Sequence, residues 1–248
     1  MRDDEKPNLR RLPLFREMTT PTFDSLMQIA HLQSFPPQLE LIRQGGYADF
    51  LHIIIEGSVE LRASWNDREA VMEILHPVST FILAACVYDE PYLMSARTLV
   101  QSQIVMIPAA DVRVALRSDS DFAMAAMREL AGGYRTFVRY AKNLKLRNSL
   151  ERLAAYVLHQ SNLSDHADAI MLPVEKRHLA SYLGMTPENL SRSMRALQGH
   201  GATVQGMRVT ITDRERLEAV AMFDPLMDGS ETKMSAGLPD TLAAKKLH

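Results

Sequence analysis

One stretch of the sequence limits the possible folds more than any other. From Ala123 to Asn148, mostly apolar residues recur at alternating steps of four and three positions over more than three heptads. Such a repeat is typical of a helix that packs against a second helix in a coiled coil. Packing on its own domain is the alternative, and Gly132 and Gly133 weaken the coiled-coil interpretation because each glycine costs about 1 kcal/mol in a helix interior. The repeat favours a homodimer through one seam, made of Met127, Leu130, Tyr134, Phe137, Ala141 and Leu144.

The part of the chain before this helix has a different texture. Residues 38–107 alternate short β-rich runs with Gly, Asn-Asp and Pro, which is typical of a small antiparallel barrel or sandwich. Gly57 lies between two of these runs, where a turn can require a positive φ. Residues 20–35 predict one short helix, begun by a Thr-Pro pair. Residues 79–96 interrupt the strands, and we expect a short helix or loop that lies against the barrel.

The pattern changes again after the long helix. A polar stretch at 161–169 predicts a linker, and two short helical segments follow, separated by Gly184 and Met185. Two short strands around Gln205 and Gly206 then predict a hairpin. Two short helices with a glycine in the turn, followed by a hairpin, indicate a winged helix-turn-helix, whose second helix fits the major groove of DNA.

The second of these helices carries an unusual outward face. Its apolar residues recur at helical spacing on one side, and its other side presents Glu, Ser and Arg. Arg can bind both acceptors of a guanine edge, Glu can accept from a cytosine amino group, and Ser can bond a base or a phosphate. An ordinary charged solvent face is the alternative interpretation. The predicted DNA-binding residues are Thr186, Glu188, Asn189, Ser191, Arg192 and Arg195.

Three motifs resemble the bacterial superfamily of the cyclic-AMP receptor protein and the fumarate-nitrate regulator (CRP/FNR). They are "IIIEGSVEL" in the strands, "LERLAAYVL" in the long helix and "LASYLGMTPENLSRSMRAL" in the helix-turn-helix, and the resemblance runs over about residues 14–220. Recognition helices of the fumarate-nitrate branch carry Glu-x-x-Ser-Arg, which Glu188, Ser191 and Arg192 reproduce. The cyclic-AMP branch has Arg where this chain has Pro187. Within the superfamily, the sequence is similar to the FtrB subgroup.

The resemblance implies both a fold and a function. The implied fold is α+β, with a cyclic-nucleotide-binding-like β-roll as the sensory domain at 12–118, a dimerisation helix at 119–160 and a winged helix-turn-helix at 161–223. The tail at 224–248 has the composition of a disordered segment. The implied function is that of a homodimeric transcription factor that binds a palindrome of TTGAT-type half-sites on double-stranded DNA through the recognition helix at 187–198. RNA polymerase is the further implied partner.

The resemblance also bears on the signal that the β-roll senses. In the nucleotide-binding branch a glutamate holds the ribose and an Arg-Ser pair holds the cyclic phosphate, whereas this chain has Ala84, Met94 and Ser95 there. A buried phosphate without its cation costs several kcal/mol, so we predict a signal other than a cyclic nucleotide. The neighbouring residues would suit an apolar or aromatic effector, with core packing as the alternative. The predicted effector pocket comprises Phe81, Leu83, Ala84, Val87, Tyr88, Met94, Ser95 and Tyr134.

Other kinds of sensor depend on cysteine and histidine. Oxygen-sensing members use a cluster of cysteines, which the single cysteine, Cys86, excludes. Haem remains an alternative because His52, His76 and Cys86 lie in or near the β domain. A lone histidine or a free cysteine is more often structural, so we expect no metal and no cofactor. The alternative function is a haem-binding or small-ligand-binding sensory module that signals through protein contacts, with a redox effector at Cys86 as a variant.

Charge, hydropathy and motifs exclude other classes of protein. The net charge is only -2, but residues 134–152 hold six basic side chains against one acidic one, which is typical of a solvated helix face. The sequence contains no G-x-S-x-G, P-loop or H-E-x-x-H motif, so we expect no enzyme. Its apolar runs are shorter than the ~20 residues of a membrane span, and the first residues do not resemble a signal peptide. We therefore expect a cytoplasmic protein without a membrane partner.

Overall fold

The computed structural model describes residues 6–164, 166–172 and 176–229. Contacts divide the chain into two compact units, and the division falls inside one helix, between Gly133 and Tyr134. The first unit begins with three short helices, α1 (Lys6–Arg10), α2 (Pro13–Arg16) and α3 (Thr20–Ile29). Its strands are β1 (His31–Phe35), β2 (Glu40–Ile42), β3 (Phe50–Glu56), β4 (Val59–Trp65), β5 (Arg68–Leu75), β6 (Ser79–Phe81), β7 (Ser95–Thr98) and β8 (Ser102–Pro108).

These strands form two antiparallel sheets, with the strand orders β1-β8-β3-β6 and β2-β7-β4-β5. The helix α4 (Leu83–Tyr88) follows β6, and α5 (Ala109–Ser118) follows β8. The structure confirms the antiparallel β domain, with the predicted short helix between two of its strands. It differs at 20–35, because α3 ends at Ile29 and residues 31–35 pair with β8 instead. That pairing joins segments distant in sequence, so the local pattern could not predict it.

The strand β3 separates two apolar cores, because successive side chains of a strand point to opposite faces. Leu51 and Ile53 pack with α1–α3, α5 and the start of the long helix. Ile54 packs instead with side chains from both sheets. At the end of β3, Gly57 has φ +94°, and a Cβ there would lie 2.7 Å from the Gln101 carbonyl oxygen. Only glycine fits that turn, as the sequence predicts.

The second unit starts within the long helix α6 (Ser120–Leu146) and contains the remaining elements. Among the described residues, a three-stranded sheet of order β10-β11-β9 is accompanied by five further helices. Their core is apolar and includes Leu153, Leu179, Leu190, Leu197 and Leu217. The elements are α7 (Ser149–Leu163), β9 (Ala169–Met171), α8 (Lys176–Tyr182), α9 (Pro187–Leu197), β10 (Ala202–Gln205), β11 (Arg208–Ile211), α10 (Arg214–Ala221) and α11 (Pro225–Asp228).

The structure divides the helix expected at 119–160. Asn148 ends the heptad pattern but caps α7, because its side chain accepts from the Leu150 and Glu151 amides and Glu151 bonds back to the Asn148 amide. This capping box begins a new helix. The buried side chains of α7 belong to the core of the second unit. The segment 149–160 is therefore packed with the helix-turn-helix elements rather than continuing α6.

Two other expectations change in this unit. The linker predicted at 161–169 is shorter, because α7 continues to Leu163 and Ala169 already pairs with β11. The prediction of disorder from Asp224 is wrong for residues 224–228, because Asp224 caps the short helix α11. Residues 230–248 of that predicted tail lie outside the described residues.

Within the described ranges, no helix is long and apolar enough to cross a membrane.

Candidate nucleic-acid interface and sensory domain

The helices α8 and α9 are joined by a turn that requires glycine. Gly184 has φ +61°, a conformation that side chains of L-residues rarely adopt. A Cβ at this position would also lie 2.6 Å from the Leu144 Cδ2 atom. The turn and the packing of α6 against it therefore both depend on the missing side chain.

The first turn of α9 is stabilised by its own sequence. The Thr186 hydroxyl accepts from the Asn189 amide at 3.2 Å, and Pro187 occupies the first helical position. Glu188 lies in the same turn, where the helix dipole favours a negative charge. The amide of Glu188 itself, the Thr186 hydroxyl and the Arg192 guanidinium lower the pKa of the Glu188 carboxyl below its ordinary value. Glu188 is therefore ionised at neutral pH.

The opposite faces of α9 have different surroundings. Leu190, Met194 and Leu197 are buried in the core of the second unit. Of the six predicted DNA-binding residues, four are exposed and two, Asn189 and Ser191, are half-buried. The Arg192 guanidinium donates to the Asn189 side-chain oxygen. The structure thus places an ionised carboxylate and two arginines outside a firmly packed helix; the exposed four are Thr186, Glu188, Arg192 and Arg195.

The hairpin β10–β11 extends this surface. Its strands pair from Ala202 with Ile211 to Gln205 with Arg208, as the sequence predicts for the wing. The side-chain amide of Gln198 donates from Nε2 to the Val204 carbonyl at 3.4 Å, which connects the end of α9 to the hairpin. A concavity of about 200 Å³ lies between α8, α9 and the hairpin. It is lined by Lys176, Ser191, Met194, Arg195, Gln198, Val204 and Gly206.

The sequence analysis missed several residues of this surface. Lys176 and Gln198 line the same concavity as Arg195, and Arg208 is exposed at the start of β11. Gln198 lies three positions after Arg195, so helical spacing could have placed it on the same face. Lys176 belongs to another helix, and its position depends on the tertiary fold. With these residues, the surface has the basic character that phosphate binding requires.

The predicted effector pocket does not form one cluster in the structure. Phe81 and Met94 belong to the core that both sheets build. Leu83 and Val87 belong to the core on the other side of β3, and Ala84 is exposed. The sequence pattern does not distinguish the two cores, because the fold around α4 determines which core each side chain joins.

The remaining pocket residues are also engaged or exposed. The Ser95 hydroxyl accepts from the Gln44 amide at 3.0 Å. Tyr88 is exposed on the first unit, and Tyr134 is exposed on the second. None of these three side chains is packed into an apolar core within the described residues.

The three candidate haem ligands have different environments. His52 is buried, stacks on Phe81 with a centroid distance of 5.1 Å, and has no hydrogen-bond partner for its Nδ1. Burial lowers the pKa of His52 to about 4, so the ring is neutral. Burial also lowers the pKa of His76.

Cys86 packs in the other core, where its thiol donates to the Phe50 carbonyl at 3.3 Å. Burial raises the pKa of this thiol to about 11. A buried thiol with a raised pKa is a poor nucleophile, so the environment does not favour the redox variant. Over the parts of the chain that the structure describes, no three His, Cys, Asp or Glu side chains are grouped to hold a metal ion.

The seam residues of α6 also differ from one another. Met127, Tyr134 and Phe137 are 54%, 69% and 59% exposed. Leu130 instead packs against the core of the first unit, and Leu144 lies against Gly184. Three of the six seam residues are therefore large apolar side chains that the chain itself leaves open to solvent, while two have partners within it.

The combination of an antiparallel β domain, a long helix and a winged helix-turn-helix defines a class of DNA-binding regulators that carry a sensory domain. Residues 32–119 match the family model of the cyclic nucleotide-binding domain, and residues 151–220 match that of the Crp-like helix-turn-helix domain. The chain is homologous to the CRP/FNR family of transcription regulators.

Individual relatives agree with this result. The chain is 22% identical over 203 residues to the cAMP-activated global transcriptional regulator CRP of Salmonella typhimurium, covering 77% of this chain and 96% of the relative. It is 33% identical over 81 residues to the nitrogen fixation regulation protein FixK of Bradyrhizobium diazoefficiens, covering 30% and 34%. The solved structure of FixK2 from Bradyrhizobium japonicum has a similar fold, with a TM-score of 0.67, 20% identity and coverage of 77% and 97%.

Proposed function

We propose that the protein is a homodimer whose two α9 helices read a palindrome of TTGAT-type half-sites. The observation that carries this proposal is the face of α9, where Glu188, Ser191 and Arg192 lie on the outer side of a helix whose inner side is fully packed. The Glu-x-x-Ser-Arg spacing matches the fumarate-nitrate branch. Direct reading of base edges requires polar side chains on the outer face of a firmly packed helix.

Each polar residue has a separate role in this proposal. Arg192 binds the N7 and O6 acceptors of a guanine, and Asn189 holds its guanidinium before DNA arrives. Glu188 accepts from a cytosine amino group, because an ionised carboxylate close to phosphates is tolerated only where a base contact compensates it. Ser191 and Thr186 bond a base or a phosphate. Arg195, beside Lys176 and the wing, contacts the phosphate backbone.

Dimerisation is supported by the exposed part of the seam. Tyr134 and Phe137 are exposed on the part of α6 in the second unit, and Met127 is exposed on its part in the first unit; a second copy of α6 would cover such apolar side chains. A dimer places its recognition helices in successive major grooves, so the two half-sites lie about one helical turn apart.

Phe137→Asp should give monomers in sedimentation at micromolar concentration, whereas Val114→Asp, an equally exposed position on α5, should leave the dimer intact. A monomeric wild type would contradict this part.

The signal in our proposal is not a cyclic nucleotide. Ala84 offers no polar group, Met94 belongs to an apolar core, and the Ser95 hydroxyl is already bonded to the Gln44 amide. An anionic phosphate would have no cation from these positions. Because the family model describes a cyclic nucleotide-binding domain, calorimetry with cyclic AMP and cyclic GMP is the direct check. Micromolar binding of either would overturn this part and leave DNA binding untouched.

The proposed site of action and partners follow from DNA binding. A regulator that binds chromosomal DNA works in the cytoplasm of a bacterium, and RNA polymerase is the partner through which it would act.

The deciding experiment is a binding selection from random double-stranded DNA with the full chain. A palindrome with TTGAT-type half-sites is the expected result. Recovery of no enriched sequence would favour the alternative, a sensory module that acts through protein contacts.

A further inference from the structure

Arg147 is a buried arginine at the junction between α6 and α7. Its side chain is only 3% exposed and forms a bidentate pair with Asp228, with Nη1–Oδ1 and Nη2–Oδ2 distances of 2.7 and 2.5 Å. It also donates to the Met222 carbonyl at 3.1 Å and to the Asn143 side chain at 3.2 Å. All of these residues belong to the second unit. A bidentate, buried pair fixes both partners in one geometry.

Asp228 belongs to the short helix α11, which has no buried residue. Leu226, in its middle, is 75% exposed, so apolar packing does not hold this helix in place. Inside the segment, the Asp224 side chain accepts from the Leu226 amide, and the Asp224 amide donates to the Asp228 carboxylate. We call Asp224–Asp228 the latch. It lies beyond residue 220, where the match to the helix-turn-helix family model ends.

A second buried arginine continues these contacts towards α9. Arg152 donates to the Arg147 carbonyl at 2.6 Å, to the Leu144 carbonyl at 3.3 Å and to the Gly184 carbonyl at 3.3 Å. Gly184 is the glycine of the turn that precedes α9. The end of α6, which has no further helical partner for its last carbonyls, is thus bonded to the turn of the helix-turn-helix through one side chain.

Other contacts reinforce the same junction. The Tyr140 hydroxyl donates to the Tyr182 carbonyl at 3.3 Å, and the rings of these two residues lie 6.1 Å apart. Leu144 packs where Gly184 lacks a side chain. The last two helical turns of α6 therefore contact the end of α8 and the loop at Gly184 directly. The latch contacts the same junction through Arg147.

We propose that the latch is a positioning device for the recognition helix: Asp228 fixes Arg147, and Arg147 with Arg152 fixes the end of α6 to the turn before α9. This inference rests on the proposed assignment of α9 to DNA only for its effect on DNA binding. Asp228 and Arg147 touch no base, so loosening the latch weakens binding to every sequence alike. No phosphate contact is lost, so the salt dependence of binding is unchanged.

The test compares two full-length variants with the same change of charge and size. Asp228→Asn removes the carboxylate of the latch, and Glu215→Gln, on the exposed side of α10, is the control. Amide hydrogen exchange of peptides covering 140–150 and 182–187 is measured without DNA, and affinity is measured on the selected palindrome and on a scrambled duplex. We expect exchange in Asp228→Asn to be at least about tenfold faster, because exchange reports local opening, and both affinities to fall by the same factor of roughly five to ten.

Each result has a defined meaning. Unchanged exchange in Asp228→Asn would overturn the latch, and faster exchange with affinities equal to those of Glu215→Gln would overturn its link to DNA binding. If the wild type binds no DNA, the proposed function fails while the exchange result still decides the latch. If Asp228→Asn does not fold, Asp224→Ala replaces it, because it removes only the cap of α11. Smaller changes in the same direction support the proposal, and no change contradicts it.

Discussion

Two pairs of arginines in the second unit have opposite surroundings. Arg192 and Arg195 are exposed on α9, whereas Arg147 and Arg152 are buried at the junction of α6 and α7. The basic run at 134–152 would by itself indicate a solvated helix face, and that interpretation is wrong for its last two arginines. The comparison shows that the number of basic residues in a segment does not locate a DNA-binding surface. Burial and carbonyl partners separate structural arginines from those available to DNA.

The largest expected effect comes from breaking the buried pair. Arg147→Ala leaves the Asp228 carboxylate unpaired in a partly buried position, and removing one partner of such a pair costs about 3 to 5 kcal/mol. Denaturant unfolding of the purified chain should show this loss, with Arg192→Ala as the control that changes stability by less than about 0.5 kcal/mol. Equal stabilities of the two variants would mean that Arg147 is not buried in solution.

A smaller effect is expected for base reading by Arg192. Arg192→Ala removes a proposed bidentate guanine contact and should cost about 1 to 3 kcal/mol of binding free energy on the selected palindrome. The preference at one base pair of each half-site should relax, since the other contacts remain. Repeating the selection with the variant measures this. Enrichment of the same palindrome to the same degree would show that Arg192 reads no base.

Arg195 tests the difference between the two exposed arginines. A phosphate contact carries no sequence information, so Arg195→Ala should weaken binding to the palindrome and to a scrambled duplex equally. The slope of log K against log salt should fall by about one per half-site contact removed. Titrations at several salt concentrations provide the measurement. A changed base preference would show that Arg195 contacts a base and not only the phosphate backbone.

The smallest effect should come from an exposed lysine beside the buried pair. Lys145 lies in the last turn of α6 and is exposed. Lys145→Ala removes only a favourable interaction with the helix dipole, so we expect a loss of about 0.5 kcal/mol in unfolding free energy. A loss close to that of Arg147→Ala would show that position in the basic run matters more than burial.

The sequence predicted best what depends on neighbouring residues. The turn at Gly184, the cap at Thr186 and the inward row of α9 all follow from spacing within about twelve positions. The partner of Arg147 is 81 positions away, in a segment whose composition indicated disorder. No local pattern contains that information, so the burial of Arg147 could not be predicted.

The β domain shows the same limit. The turn at Gly57 was predictable because a tight turn leaves a local signature. The sequence predicts helix for the residues of β1, and this prediction is wrong because their pairing with β8 crosses about seventy residues of sequence. The predicted effector residues lie in different cores for a related reason: neighbouring positions such as Phe81 and Leu83 belong to different clusters of buried side chains. Adjacency along the chain does not specify which side of a sheet a side chain reaches.

The division of the chain inside α6 has a practical consequence for building hybrid regulators. A chimera that takes its DNA-binding part from this protein and its sensor from another would ordinarily be cut at the break between α6 and α7. Tyr140, Leu144 and Arg147 all contact the helix-turn-helix or the latch, so a graft that starts at Ser149 would discard them. The transferable cassette begins at Tyr134 and extends through Asp228.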